Sequence, residues 1–190
     1  MSKEETANPA PLGLAGFGLT TVLLNIINAG LVPVESIGII LPMGLFYGGL
    51  AQLVAGMWEF KKGNTFGATA FSSFGCFWFA FAFILLFESL GIVQPVPPEG
   101  LAIFLGGWGF FTAYMTIGTF KISVAIQVVF ITLTILFFLL AIGQFVPIAH
   151  TIGGWEGIFC GFSALYASAG TVINETWGKE VVPLGHVKKK

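Results

Sequence analysis

The sequence contains no arginine and no aspartate, and charged residues occupy only 9% of its 190 positions. A water-soluble domain wets its surface with about a quarter charged residues, so a soluble fold is excluded and the surface must face lipid. Without arginine, no bidentate fork can clamp a carboxylate or phosphate. There is also no H-E-x-x-H or G-x-S-x-G motif, so neither a metal nor a catalytic residue is expected, and no cofactor. So few basic residues do not make a nucleic-acid surface. Cysteine is nearly absent as well. Cys76 and Cys160 stand alone with no C-x-x-C spacing, which marks both as small core hydrophobes.

What fills the space is hydrocarbon, at 56% of residues. Six apolar runs can be read, at about 11–32, 36–57, 65–87, 100–119, 122–145 and 151–173, each long enough to cross roughly 30 Å of hydrocarbon. The first is too long for a cleavable signal, lacks a basic leader and is followed by five equals. The fold class is therefore an all-α integral membrane protein with six transmembrane helices. Residues 1–8 and 176–190 form short tails around a membrane domain at 9–175.

Six spans return both ends to one side. That side collects all eight lysines: Lys3, Lys61, Lys62, Lys121, Lys179, Lys188, Lys189 and Lys190. The other side carries Glu35, Glu88, Glu99, Glu156 and His150 and no lysine. The positive-inside rule then places both termini in the cytoplasm of a cell-membrane protein. Glycines recur at helical spacing, Gly44, Gly48 and Gly56 on the second span and Gly153, Gly157 and Gly161 on the sixth. Small residues let helix backbones approach where lipid offers no hydrophobic drive. Glycine pairs on the second, fourth and sixth spans hint at a hairpin used three times, and chance likeness among glycine-rich helices explains them equally well.

The first span opens "NPAPLGLAGFGLTTVLLN". Asn8 reads as an N-cap with Pro9 at the first helical position, leaving free amide donors that suit an anion at the inner boundary. At about 100° per residue, Phe17, Thr21, Leu24 and Asn28 share one stripe, with Thr20 beside it and Asn25 at its edge. An amide facing lipid is costly, so this stripe faces other helices or a wet path. Gln52, Asn64, Thr65, Gln127 and Asn174 add mild polarity elsewhere. Every ionisable residue, Glu156 included, reads as lying near the end of a span. This argues against a pump with a mid-membrane acid.

The stretches "NPAPLGLAGFG", "FYGG", "KKGNTFGATAFSSFG", "GTFK", "LAIG" and "INE" resemble the succinate–acetate permeases, the acetate uptake transporter family, from Asn8 to about Gly185. The resemblance implies a ring-shaped hexamer with one pore per subunit, passing acetate and also succinate and other small carboxylates, with proton coupling open. It also implies a constriction at an aromatic, a second aromatic (typically tyrosine) and a leucine. The matching positions are Phe17, Phe74 and Leu133, and Phe74 departs from the pattern by lacking the hydroxyl. A bare carboxylate is costly in such a dry ring, which favours passage of the neutral acid. The vestibules are expected to be lined by Asn8, Pro9, Thr20, Thr21, Asn25, Asn28, Gln52, Asn64, Thr65, Gln127 and Asn174. The alternative is a channel for small neutral solutes such as urea or ammonia. A sealed, non-transporting bundle with helix-gluing amides is a second rival. Partners are thus small monocarboxylates or dicarboxylates, membrane lipid and further copies of the chain.

Overall fold

The structure is a computed structural model that describes residues 6–187. Of the eight lysines, Lys3 and Lys188 to Lys190 lie outside the described residues. Six helices are long and apolar enough to cross a membrane: α1 Ala10–Asn28, α2 Val34–Lys62, α3 Thr65–Ser89, α4 Pro98–Thr119, α5 Val124–Gly143 and α6 Pro147–Trp177. No strand occurs among the described residues beyond one isolated bridge, Ser123 to His186.

The helix ends follow local chemistry. Asn64 caps α3 by accepting from the Gly67 amide at 3.2 Å, and Ser123 caps α5 by accepting from the Ile126 amide at 3.3 Å. Prolines 98 and 147 occupy the first positions of α4 and α6, where a missing N–H costs nothing. α2 and α6 stop at Gly63 and Gly178 in the left-handed region, which glycine enters without a Cβ penalty. At α1 the expectation shifts by one residue. Pro9 is the N-cap and the helix begins at Ala10, while the Asn8 Oδ1 accepts from the Ala10 amide at 3.2 Å.

α2 is not one regular helix. It opens as a 3₁₀ stretch at Val34–Ile39, passes through Ile40–Pro42, widens to a π-helix over Met43–Ala51 and becomes α-helical from Gln52 to Lys62. Nine π-helical residues are unusual, because such turns mostly occur singly. The wide stretch carries Gly44, Gly48 and Gly49. A Cβ on Gly48 would meet the Trp78 ring at 2.7 Å, and α1 lies so close that a Cβ on Gly16 would strike the Tyr47 carbonyl.

α1 runs through the middle of the bundle and is its most buried span. It meets α6 backbone to backbone. A Cβ on Gly18 would stand 2.8 Å from the Gly161 carbonyl oxygen, and one on Gly161 would stand 2.8 Å from that of Gly18. The Asn25 amide occupies the space where a Gly157 side chain would be, and Gly154 lies against the backbone of Asn28 and Ala29. The stripe facing α1 is therefore Gly154, Gly157 and Gly161, whereas Gly153 turns to Leu140 on α5 at 3.1 Å. Gly44, Gly48 and Gly56 face α3 together. Gly106 and Gly107 on α4 meet nothing within 4 Å, so the three glycine pairs differ in their packing.

Two further readings are corrected. Cys160 is a buried core residue, but Cys76 is exposed on the outer face of α3. Glu156 is not at a helix end. It is the tenth residue of a 31-residue helix, with both carboxylate oxygens buried and without a hydrogen-bond partner among the described residues. The α5–α6 packing on this face, where Gly153 meets Leu140 and Cys160 donates to the Val129 carbonyl, is invisible to a hydropathy window.

Candidate functional site

A cavity of about 410 Å³ lies inside the bundle between α1, α3, α4 and α5. Its lining descends each helix in register. On α1 it passes from Asn28 to Asn25, Thr21 and Phe17, and on α3 from Glu88 to Leu85, Phe81 and Phe77. On α5 it passes from Gln144 to Leu140, Leu136 and Leu133. The mouth holds Glu88, Gln144 and His150, the floor holds Phe17 and Leu133, and most of the wall between is apolar.

Below that floor the registers continue into a second, water-sized void of about 20 Å³. It is lined by Leu14 and Phe17 of α1, Phe71 and Phe74 of α3, Phe130 and Leu133 of α5, and Gln52 of α2 among others. Phe17 and Leu133 thus separate the two spaces, and Phe74 closes the ring from the lower side. Their exposures are 5%, 2% and 3% respectively, and the Phe17 and Phe74 rings lie 5.9 Å apart. Phe74 also stacks on Phe137 at 6.5 Å and meets Phe111 edge-on at 5.4 Å, which holds its rotamer. With about 1.5 Å of rise per residue, the ring sits roughly 10 Å above the start of α1 and 16 Å below its end.

The polar residues separate into those on the path and those committed elsewhere. Asn25 donates to the Thr21 carbonyl at 2.9 Å and accepts from Asn28 at 3.1 Å, so these amides form a ladder on the cavity wall. Thr21 Oγ1 and Gln52 Oε1 are buried with no partner among the described residues. Thr20 is fully buried and bonded to the Gly16 carbonyl at 2.8 Å, off the cavity. Asn64 donates to buried Glu59 at 2.8 Å while capping α3, and Thr65 is exposed beside it. Gln127 is half-buried away from both spaces. Asn174 binds the tail through Val181 and Val182 at 2.7 and 2.8 Å.

Asn8 and Pro9 lie beneath the void, at the end of the bundle where α1 begins. There Asn8 donates to Glu175 at 2.6 Å and accepts from Lys62 at 3.3 Å, tying the ends of α1, α2 and α6 together. The tail joins the same end, with the Gly185 carbonyl accepting from the Val124 amide at 2.9 Å. Lys62 and both described chain ends are thus gathered at one end of the bundle, opposite Glu88 and His150.

Several cavity residues escape the sequence reading: Phe77, Trp78, Phe81 and Gln144, while Glu88 is read there only as a charge on the lysine-free side. The signal is present in α3, where Phe74, Phe77, Phe81, Leu85 and Glu88 follow helical spacing. That stripe is indistinguishable from ordinary core until a void is found beside it.

A six-helix apolar bundle holding a cavity that ends on an aromatic and aliphatic ring defines an integral membrane protein with an internal, solute-sized space. The chain belongs to the GPR1/FUN34/yaaH family, matching it over residues 1–186. It is 50% identical over 187 residues to the succinate-acetate/proton symporter SatP of Escherichia coli K12, covering 97% of this chain and 98% of that protein. It is 37% identical to acetate permease A of Emericella nidulans, over 95% of this chain and 66% of that protein. Among solved structures it superposes on the bacterial acetate channel SatP with a TM-score of 0.92, at 50% identity and over 95% and 100% of the two chains.

Proposed function

We propose that the protein carries acetate, and with it succinate and other small carboxylates, across the cell membrane. The path descends through the cavity, passes the ring of Phe17, Phe74 and Leu133, and leaves by the void beside Gln52. The observation that carries this reading is that two internal spaces meet at Phe17 and Leu133, in continuous register on three helices. The names of the relatives point the same way. Labelled acetate entering proteoliposomes faster than protein-free vesicles is the expected result, while labelled urea should enter no faster than it does without protein. Urea entry faster than in protein-free vesicles would favour the neutral-solute alternative.

Both termini are assigned to the cytoplasm from the lysine asymmetry. The inner mouth then carries Lys62 and the outer mouth Glu88 and His150. A membrane-impermeant amine reagent applied to intact cells should leave the lysines unmodified, and permeabilisation should expose them. Modification in intact cells would invert the orientation. The assembly is assigned as a hexamer with a path in each subunit. The outward faces carry Phe46, Ile103, Phe110 and Phe162, all well exposed in the single subunit, and these meet lipid or neighbouring copies.

Phe74→Tyr tests the second ring position. It places a hydroxyl within the dry ring, where a partner for a carboxylate is otherwise missing. The expected result is a succinate-to-acetate uptake ratio at least about twofold higher, since even about 0.4 kcal/mol of selective stabilisation doubles a rate. An unchanged ratio would show that selectivity is set elsewhere.

A further inference from the structure

Gln52 is 1% exposed, its Oε1 has no hydrogen-bond partner among the described residues, and it lines the void immediately inside the ring. An orphaned buried acceptor costs about 1–3 kcal/mol, so a native fold keeps one where a ligand or water completes it. The local backbone is unusual at the same point. The π-helical stretch of α2 ends at Ala51, one residue before Gln52, and such wide turns concentrate at functional positions. α1 comes close enough there that a Cβ on Gly16 would touch the Gln52 Cγ at 3.5 Å.

The chemistry of the group narrows what it can hold. A side-chain amide offers an acceptor oxygen and N–H donors on one planar edge. A protonated carboxylic acid presents the matching pair, an O–H and a C=O, and satisfies both at once. A carboxylate has only acceptors, so it would leave the Gln52 oxygen facing another oxygen. The surroundings favour the neutral species too, because Leu14, Phe17, Phe71, Phe74, Phe130 and Leu133 supply no charge and no donor. The void of about 20 Å³ holds roughly one water, the size of a hydroxyl rather than of a whole acid. A two-carbon acid therefore fits with its carboxyl group at Gln52 and its methyl group still in the ring.

We propose that Gln52 is a binding station for the undissociated acid, so that the proton crosses the ring on the substrate's own carboxyl group. No protein group then needs to relay a proton at the constriction. On the outer side the unpartnered Thr21 hydroxyl sits one helical turn, about 6 Å, above Phe17, and hands the carboxyl group to Gln52. The inference rests on the transport reading.

The test uses the full-length protein in planar bilayers and proteoliposomes at pH 6 under an acetate gradient. Tracer flux above that of protein-free membranes is expected, with electrical current accounting for less than a tenth of it. Acetamide presents the same C=O and N–H pair without any charge, and should compete with labelled acetate in the wild-type protein. Gln52→Leu should lower the acetate flux at least tenfold and abolish acetamide competition. Current equal to the tracer flux, or no competition by acetamide, would overturn the neutral-acid station. Both of those readouts need no variant. Flux no greater than in protein-free membranes would instead overturn the transport reading itself.

Discussion

Leu133→Ala should raise uptake of labelled succinate at least about tenfold over the wild-type protein, and uptake of acetate by a smaller factor. Leu133 borders both the cavity and the void, so removing three carbons there joins the two spaces along one side of the ring. A tenfold gain requires only about 1.4 kcal/mol off the barrier. A four-carbon diacid gains more than acetate because it is the longer and wider solute. The substitution also leaves a gap next to Phe17 and Phe74. In soluble cores a buried leucine-to-alanine change costs about 2–5 kcal/mol, and the cost is smaller in a membrane, where packing rather than water exclusion supplies the energy. A lower melting temperature together with faster succinate flux is thus the expected pair. Slower or unchanged flux at preserved folding would place the constriction elsewhere.

Gly161→Leu should be strongly destabilising. The α1 and α6 backbones meet at Gly18 and Gly161, each with its carbonyl oxygen 2.8 Å from where the other's side chain would begin. Neither carbonyl is a flexible side chain that could step aside. Overpacking by added carbons typically costs about 1–3 kcal/mol, and here the obstacle is backbone. A loss of about 3 kcal/mol lowers the melting temperature by roughly 6–12 °C in a chain of this size. α1 would move as well, and with it Phe17, Thr21 and Asn25, so transport should be lost even in the fraction that folds. Gly106→Leu is the control, because a Cβ there would meet nothing beyond its own helix within 4 Å among the described residues. It should leave the subunit's folding intact and shift only its assembly or lipid contacts. Equal stability of the Gly161 variant and the wild-type protein would contradict the close α1–α6 approach.

Much of the architecture is legible in the order of residues along the chain. Six spans follow from hydrocarbon thickness and composition, because a helix that satisfies its own backbone is the one form six separate apolar runs can take in lipid. The start of α3 at Asn64 is legible from its cap, whereas the run read as 151–173 stops four residues short of each end of Pro147–Trp177. The stripe of Phe17, Thr21 and Asn28 is legible too, since helical periodicity alone sets which side chains share a face. Periodicity does not say which polar groups are free. Asn64 and Asn174 look no different from Asn28 in sequence, yet their amides are tied to Glu59 and to the tail, because asparagine serves caps and turns as readily as pathways.

The sequence by itself determined that the chain lives in a membrane, how many times it crosses, and that lysine gathers at one end, since each depends on composition and local spacing. The tertiary structure alone decided that α2 widens before Gln52, that the Glu156 carboxylate is buried, and that cavity and void meet at one ring. Those facts arise from contacts between helices, most of them far apart in the chain. A one-dimensional pattern records which face of a helix is polar, not what stands opposite it or whether a space is left between.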